Sequence, residues 1–256
     1  MAHSPDRTAA AVWAAWAAGD RLAALTPDLR PADLAEGYAA QQRLGDLAGA
    51  RYGWKIAATS AAGQAHIGVD RPLPGPLFAR FRREPGAVLS AAALHMRVVE
   101  AEFALVLGRD LGPDPTPEQV VDAVSALHLA VEIPDSRFTG FARVGGPTLL
   151  ADAACAGFFV LGPEVPRAAL HDLDRRPTRI EVNGVEAGTG GGAAVLGGPL
   201  LALARLATVL HGFGAGLRAG EVVTTGTTTP PPVVGPGDEV RADFGELGEV
   251  RLSFGP

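Results

Sequence analysis

Val98-Val-Glu-Ala-Glu-Phe-Ala-Leu-Val-Leu107 is apolar on both faces except at Glu100 and Glu102. Side chains two residues apart in a strand share a face, which places these carboxylates roughly 6–7 Å apart. Two like charges inside an apolar strand repel each other and lose hydration, and the strand core holds no lysine or arginine to compensate them. The pattern predicts a buried strand whose charges are compensated by a hard divalent metal. The alternative is a solvated edge strand with ordinary surface glutamates.

A second apolar segment carries a third carboxylate. His128-Leu-Ala-Val-Glu132-Ile133 contains one acidic residue and is followed by Pro134-Asp135-Ser136-Arg137. Three carboxylates from two strands, with water and substrate completing the shell, suit an octahedral site for magnesium or manganese. Asp135 is the alternative third ligand, and it could instead pair with Arg137 or cap the turn.

Lys55 is the single lysine among 22 Lys and Arg residues. In Tyr52-Gly-Trp-Lys-Ile-Ala-Ala-Thr-Ser60 its neighbours are apolar before it and small or hydroxylic after it. Such a setting is expected to lower the pKa of a lysine by desolvation, and a lysine, unlike an arginine, can lose its proton in a protein. The sequence favours Lys55 as a proton-transfer residue. A surface lysine retained by chance is the alternative.

The elements around these segments follow from apolar spacing and turn residues. Residues 1–50 carry apolar side chains at helical spacings of three and four. From Gly53 onward, short Val-rich runs alternate with Gly and Pro, which is typical of strands and turns. A capped helix is predicted from Thr116, a hairpin around Asn183-Gly184, and a helix from Pro199 to Gly212. The buried face of the helix from Thr116 is expected to hold Val120, Val121, Val124 and Leu127.

The order of these elements determines the fold class. Helices lie among strands without regular βαβ alternation, which argues against a doubly wound sheet. We predict an α+β protein with a helical N-terminal segment, residues 1–50, and a rolled, largely antiparallel β-sheet region, residues 51–256. The length of 256 residues and the hydrophobic fraction of 47% fit a single domain with one large core.

Composition limits the partners and the compartment. The net charge of −6 argues against nucleic acid and anionic membranes as partners. The single cysteine, Cys155, excludes an internal disulfide and a multi-cysteine metal site, and it fits a reducing compartment. The apolar stretch from Ala9 to Ala18 is too short to span a bilayer, so a cytoplasmic protein is predicted. No P-loop or strand-linked dinucleotide fingerprint occurs, so no nucleotide cofactor is expected.

Several segments, in their order along the chain, carry a resemblance to a known family. They are Gly53-Trp-Lys-Ile-Ala-Ala-Thr-Ser60, Val99-Glu-Ala-Glu-Phe-Ala-Leu-Val-Leu-Gly-Arg-Asp-Leu111, Val131-Glu-Ile-Pro-Asp-Ser-Arg137, Ala151-Asp-Ala153, Leu196-Gly-Gly-Pro-Leu200, Leu217-Arg-Ala-Gly-Glu-Val-Val-Thr-Thr-Gly226, Gly237-Asp-Glu-Val240 and Leu247-Gly-Glu-Val250. From roughly residue 35 to 254, the chain resembles the 2-keto-4-pentenoate hydratase and 4-oxalocrotonate decarboxylase branch of the fumarylacetoacetate hydrolase superfamily.

The resemblance implies a fold of the fumarylacetoacetate hydrolase type and a metal, Mg²⁺ or Mn²⁺, held by Glu100, Glu102 and Glu132. It implies that Lys55 transfers protons beside this metal, and Asp152 in the fourth motif is the second catalytic candidate. The implied substrate is a small 2-oxo acid whose carboxylate and 2-oxo group chelate the metal.

Four further residues are candidates for substrate contact. Ser60 and Gln64 follow the lysine segment and are expected to line the pocket. Thr225 and Thr227 offer hydroxyl groups to a substrate, or else bond within a turn. The segment Thr189–Gly192 could bind a substrate carboxylate through its backbone N–H groups, or be a plain flexible loop.

The main hypothesis is a metal-dependent lyase, a hydratase of the 2-keto-4-pentenoate type acting on a 2-oxo or 2-hydroxydienoic acid. A 4-oxalocrotonate-type decarboxylase would use the same site.

A C–C bond hydrolase is disfavoured, because the resemblance implies for it a His/Glu pair in a Gly-x-Asn-Tyr-type segment that does not occur ahead of Glu100. The rival outside enzymes is a non-catalytic paralogue serving as a partner subunit. The chain departs from the family pattern in two places, which leaves the exact substrate open. The fourth motif has Asp152-Ala153 where the family usually has an Asp-Asn pair, and the segment Arg71–Leu77 lacks the acid that is usual there.

Assembly is a further expectation from the resemblance. It implies a homo-oligomer, and the Ala-rich N-terminal helix with Trp13 and Trp16 is the candidate contact. A complex with a pathway partner enzyme is the other expected association.

Overall fold

Two capped helices form the N-terminal part of the computed structural model, which describes residues 3–256. The Ser4 side chain accepts a hydrogen bond from the Arg7 N–H, and the Asp33 side chain accepts one from the Glu36 N–H. Each side chain satisfies an N–H group that the first helical turn leaves free. The helices are α1 Pro5–Ala18, α2 Leu34–Ala48, α3 Ala61–Ile67, α4 Pro117–Ala123, α5 Gly146–Ala151 and α6 Pro199–Gly212.

The strands form two sheets. They are β1 Arg51–Ala57, β2 Leu73–Phe78, β3 Arg82–Arg83, β4 Val88–Ser90, β5 Glu100–Leu107, β6 Val124–Ile133, β7 Phe158–Val165, β8 Pro177–Val182, β9 Val185–Gly191, β10 Val222–Thr224, β11 Glu239–Asp243 and β12 Glu249–Gly255. One sheet has the order β2-β1-β10-β5-β6-β7-β3, and the other β4-β12-β11-β8-β9. Within residues 3–256, the pairs β1/β10, β3/β7 and β4/β12 are parallel and the other neighbours are antiparallel. The predicted α+β fold with a largely antiparallel sheet is confirmed.

The strand that begins at Glu100 is central in the larger sheet. Strand β5 pairs with β10 on one side and with β6 on the other. Phe103 and Leu105 have no exposed surface, and the Phe103 ring lies 5.3 Å from that of Phe244, between the two sheets. The edge-strand alternative is therefore wrong.

The capped helix predicted from Thr116 is present but shorter than expected. The Thr116 side chain accepts from the Gln119 N–H, and the Gln119 side chain accepts from the Thr116 N–H, so the capping box is confirmed. The helix ends at Ala123, and Val124 and Leu127 belong to β6. The predicted helical face was wrong there, because pairing with β5 and β7 buries the same apolar side chains in a strand.

The hairpin predicted around Asn183-Gly184 joins β8 and β9. Asn183 has a φ of 54° and Gly184 a φ of 76°, the positive values that a type I′ turn requires. Thr189 to Gly191 continue β9 and pair with β8, so the flexible-loop alternative for this segment is wrong.

Helix α6 confirms the prediction from Pro199 to Gly212. Together with the short turn before it, Gly192–Gly212 is long and apolar enough to cross a membrane by length and composition. It is, however, 44% buried inside the protein, and Leu203, Leu206 and Leu210 belong to the main core. Its apolar composition is that of a core helix.

Candidate active site

The register between β5 and β6 brings the three predicted metal ligands together. Glu100 lies directly opposite Glu132, and Glu102 lies opposite Ala130. Because Glu100 and Glu102 are two residues apart, their side chains share one face, and Glu132 lies on that face across the strand pair. One carboxylate oxygen from each glutamate lies within 4.8 Å of those of the other two.

The hydrogen bonds of these carboxylates leave oxygens free for a cation. Glu102 Oε2 accepts from the Gly226 N–H at 2.8 Å and from the Thr224 hydroxyl. Within residues 3–256, no hydrogen bond reaches Glu102 Oε1 or Glu132 Oε2, and the Lys55 ammonium lies 3.1 Å from Glu132 Oε1. Buried carboxylate oxygens are costly unless paired. The three glutamates therefore fit a hard divalent cation, as the sequence predicts.

Burial and mutual repulsion raise the pKa values of two of these carboxyl groups. Burial, followed by the charge of Glu132, raises the pKa of Glu100 to about 7. The pKa of Glu102 is raised well above its usual value by burial and by the charges of Glu132 and Glu100. Both shifts reflect burial first and then the repulsion between closely spaced carboxylates, which a bound divalent cation would relieve.

Lys55 lies on β1 beside this cluster, and it is 3% exposed. Its Nζ is 3.1 Å from Glu132 Oε1 and donates to the Ala154 carbonyl at 3.2 Å. The chance surface lysine is therefore wrong. The expected lowering of the lysine pKa is also wrong: burial acts in that direction, but the charges of Glu132 and Glu100 outweigh it and raise the pKa above its usual value.

Gly75 gives the lysine side chain its room. Gly75 lies on β2 opposite Lys55. A Cβ added there would lie 2.4 Å from the Ala153 carbonyl oxygen and 2.9 Å from Cγ and Cδ of Lys55. Glycine is therefore required at this position for close packing, and any side chain would displace the lysine stem.

Asp135, the alternative third ligand, is engaged elsewhere. Its carboxylate pairs with the Arg21 guanidinium at 2.8 Å and accepts from the backbone N–H groups of His95 and Met96 at 2.8 and 2.9 Å. These contacts hold the segment before β5 in place, so the Asp135 carboxylate is not free to bind a metal. The alternative pairing with Arg137 is wrong, because Arg21 takes that place.

Asp152 is fully buried, and its carboxylate is bonded to residues of the segment after β6. Its carboxylate pairs with Arg137 and accepts from the Ser136 hydroxyl at 2.6 Å. The Arg137 guanidinium also stacks 3.8 Å from the Trp16 ring. This network holds the turn Ala153–Cys155, whose three residues all have positive φ.

A cavity of about 650 Å³ opens above the site and contains Lys55 and Glu100 in its wall. Of the predicted substrate contacts, Ser60 and Thr227 line it. The Ser60 side chain also caps α3, and the Thr227 hydroxyl donates to the Thr229 carbonyl.

Gln64 and Thr225 lie outside the residues that line this cavity. The Gln64 amide donates to the Ala58 carbonyl at 3.2 Å, and the Thr225 hydroxyl donates to the Phe103 carbonyl at 3.0 Å. Their placement fits turn and strand contacts, and their substrate roles stay predictions.

Sequence reasoning missed the role of the residues that hold Glu102. In the segment that contains Thr224 and Gly226, the sequence suggested roles only for Thr225 and Thr227, as substrate contacts or as turn residues. The signal was the glycine: Gly226 has a φ of +103°, and a Cβ there would lie 2.2 Å from the Thr59 hydroxyl oxygen. A position that accepts only glycine beside a buried carboxylate marks a backbone N–H that must approach closely.

The family model for "Fumarylacetoacetate (FAA) hydrolase C-terminal" matches residues 62–254. The chain belongs to the fumarylacetoacetate hydrolase family. The predicted resemblance and the predicted fold type are thereby confirmed.

The relatives include both enzyme types expected from the sequence. The chain is 34% identical over 256 residues to the 2-keto-4-pentenoate hydratase of Paraburkholderia xenovorans (strain LB400), covering 97% of this chain and 94% of the relative. It is 35% identical over 205 residues to a 4-oxalocrotonate decarboxylase of Pseudomonas putida, covering 79% and 76%. The structure of 4-oxalocrotonate decarboxylase from Pseudomonas putida G7, complexed with magnesium and adipate, matches with a TM-score of 0.90 at 29% identity, covering 98% of this chain and 97% of that chain.

Proposed function

We propose that this chain is a divalent-metal-dependent hydratase that adds water to a 2-hydroxydienoic acid of the 2-keto-4-pentenoate type. The observation that carries the proposal is the cluster of three glutamates, each with a carboxylate oxygen within 4.8 Å of the others, beside Lys55 and next to the cavity that Lys55 and Glu100 line. The similarity to a 2-keto-4-pentenoate hydratase over almost the whole chain supports it.

Glu100, Glu102 and Glu132 are the residues that would hold Mg²⁺ or Mn²⁺. The bound cation would polarise the substrate carbonyl and stabilise negative charge on its oxygen. The Gly226 N–H and the Thr224 hydroxyl fix one oxygen of Glu102, which leaves its other oxygen directed to the site. These contacts orient the ligand set before substrate arrives.

Lys55 moves the protons in this proposal. The ammonium gives a proton to the terminal carbon of the dienol, and the enol hydroxyl releases its proton to solvent, so that a conjugated 2-oxo acid forms. The neutral amine then accepts a proton from water as the oxygen of that water bonds to C4, and C3 takes a proton from solvent, which completes the addition and restores the ammonium. The bond to the Ala154 carbonyl holds the Nζ on the cavity wall during both transfers.

A decarboxylase of the 4-oxalocrotonate type is the second candidate. The similarity to two decarboxylases of this name supports it, and the same carboxylates and lysine would serve a vinylogous 2-oxo acid that loses CO₂. The intact site counts against a non-catalytic partner subunit. The missing Gly-x-Asn-Tyr-type segment counts against a C–C bond hydrolase.

The assay for the proposal is the Mg²⁺-dependent loss of dienol absorbance with purified protein and 2-hydroxypenta-2,4-dienoate. We expect formation of 4-hydroxy-2-oxopentanoate, identified by mass spectrometry, with no release of CO₂. Consumption of 4-oxalocrotonate with release of CO₂, and no reaction with the dienoate, would favour the decarboxylase instead.

Asp152 is proposed as a residue that positions Lys55 rather than as a residue that contacts substrate. Its carboxylate anchors Arg137 and Ser136 behind the turn that ends at Cys155. The same turn presents the Ala154 carbonyl to the lysine ammonium. Shifting the turn would shift Nζ, and misplacement by about 1 Å can cost about 10²-fold in rate.

Asp152→Asn is therefore expected to lower kcat about 10–100-fold, while Mg²⁺ affinity and KM change little. It also leaves Arg137 buried without its partner, which costs about 3–5 kcal/mol of stability, so the assay is run well below the unfolding transition. Asp172→Asn, which breaks the more exposed pair with Arg176, is the control. An unchanged kcat in folded Asp152→Asn protein would reject the positioning role.

The other associations stay predictions. Trp16 stacks on Phe81, and the Arg80 guanidinium lies over Trp13, so both tryptophans of the proposed oligomer contact also have partners within the chain. We propose that the protein is a cytoplasmic homo-oligomer that also associates with a pathway partner enzyme. We also propose that residues 1–50 form a helical N-terminal segment and residues 51–256 the catalytic region.

A further inference from the structure

The cavity changes from charged to apolar between its floor and its mouth. At the floor, Lys55 is 3% exposed and lies against Glu132. At the mouth stands helix α3, none of whose residues is buried. A substrate whose carboxylate and 2-oxo group bind at the floor would direct its other end toward the exposed part of the wall, which α3 shares with Thr189, Gly190, Pro230 and Pro231.

The α3 side of this wall is made mostly of apolar side chains. It includes Ala62 and Ile67 from α3, Met96 and Val98 from the segment before β5, and Phe141. The His66 ring also lines this side and contacts the Phe141 ring edge-on at 5.7 Å. This end of the cavity matches an uncharged apolar group.

A second carboxylate on the substrate would find no guanidinium or ammonium at this end. Among the residues of 3–256 that line the cavity, Lys55 is the one lysine or arginine, and it is held by Glu132 at the floor. Arg97 stands between two lining residues, but it is exposed and its guanidinium donates to the Leu94 carbonyl. A carboxylate placed against apolar side chains without a cation is strongly disfavoured.

The size of the cavity leaves room for a far group larger than that of a small dienoic acid. Its volume of about 650 Å³ falls in the range that drug-sized ligands occupy and exceeds what a small dienoic acid fills. We propose that this chain selects monocarboxylate 2-hydroxydienoates whose far end carries a bulky uncharged apolar group, and that it discriminates against dicarboxylates. The inference rests on the proposed function and determines the substrate class for the same site.

The first test is a substrate panel with the Mg²⁺-loaded protein. It contains 2-hydroxydienoates whose terminal carbon carries hydrogen, methyl, phenyl or carboxylate. We expect kcat/KM to be higher for the phenyl and methyl compounds than for the carboxylate compound by about tenfold or more. Equal or better use of the terminal carboxylate would overturn the inference while leaving a metal-dependent lyase. Turnover of no member would reject the proposed function.

A binding measurement decides the inference even without turnover. The saturated acids 2-oxohexanoate and 2-oxoadipate have the same carbon count and differ by a terminal methyl against a terminal carboxylate. Calorimetric titration into Mg²⁺-loaded protein is expected to give 2-oxohexanoate the tighter binding, by about tenfold or more. Tighter binding of 2-oxoadipate would overturn the inference.

A cation placed at the mouth should offset the preference for an uncharged far end. Ala62 lines the cavity from the exposed helix α3, where an arginine fits the helix without burial of its charge. Ala62→Arg is expected to raise the preference for the terminal carboxylate over the methyl compound by about tenfold. Ala65→Arg is the matched control, since Ala65 is exposed on the same helix but does not line the cavity. An equal effect of both substitutions would contradict the assignment of this wall.

Discussion

Lys55→Arg is expected to lower kcat about 10²–10⁴-fold, nearly as much as Lys55→Ala, although it keeps the positive charge. An arginine holds its proton at any working pH and cannot return it to substrate. Its planar head also needs more room than the lysine site offers, because Gly75 packs directly against the lysine stem. Steady-state kinetics with the preferred dienoate measures the loss.

The metal must remain bound for this result to concern proton transfer. Calorimetric titration of Mg²⁺ into Lys55→Arg protein is expected to give an affinity near that of the wild type, because the three glutamates are unchanged. Arg109→Lys, the reverse exchange at an exposed position, is the control and should leave kcat unchanged. Near-normal turnover by Lys55→Arg would mean that the lysine serves only as a positive anchor for the substrate.

Glu102→Gln is expected to weaken Mg²⁺ binding by more than about 100-fold and to remove activity, while the fold remains. Loss of a residue that merely supports a metal ligand typically costs about 10–100-fold in affinity, and Glu102 is proposed as a ligand itself. The substitution removes a charge that burial and two neighbouring carboxylates already disfavour, so the metal-free protein should lose no stability.

Thermal unfolding with and without Mg²⁺ separates these effects. The melting temperature of the wild type should rise with added Mg²⁺, because a ligand that binds the native state stabilises it. The melting temperature of Glu102→Gln should not respond. Glu164→Gln, at an exposed glutamate of β7, should respond as the wild type does. Full activity of EDTA-treated Glu102→Gln protein would reject the metal assignment.

The sequence alone predicted the elements that depend on local residue patterns. Apolar alternation interrupted by Glu100 and Glu102 predicted a charged face in a buried strand. The capping box at Thr116 and the turn at Asn183-Gly184 predicted their elements directly. The end of α4 was not predictable, because the apolar residues after Ala123 suit a helix or a strand equally, and pairing with β5 decides between them.

The site contained two features that depend on distant partners. Asp135 pairs with Arg21, which is 114 residues away along the chain, and no local pattern connects them. The pKa of Lys55 moves opposite to the prediction because carboxylates from two other strands surround it. Residue types and motif order identified the site residues. The direction in which the pKa of Lys55 shifts could be determined only from the fold.

The central claim is that Glu100, Glu102 and Glu132 hold one divalent cation beside Lys55. Anomalous X-ray diffraction from crystals of this protein grown with Mn²⁺ tests it most directly, because manganese scatters anomalously and replaces magnesium at oxygen sites. The account predicts one strong peak within coordination distance of all three carboxylates, in the cavity wall that Lys55 shares. A strong peak elsewhere in the protein, with the three glutamates carrying none, would contradict it.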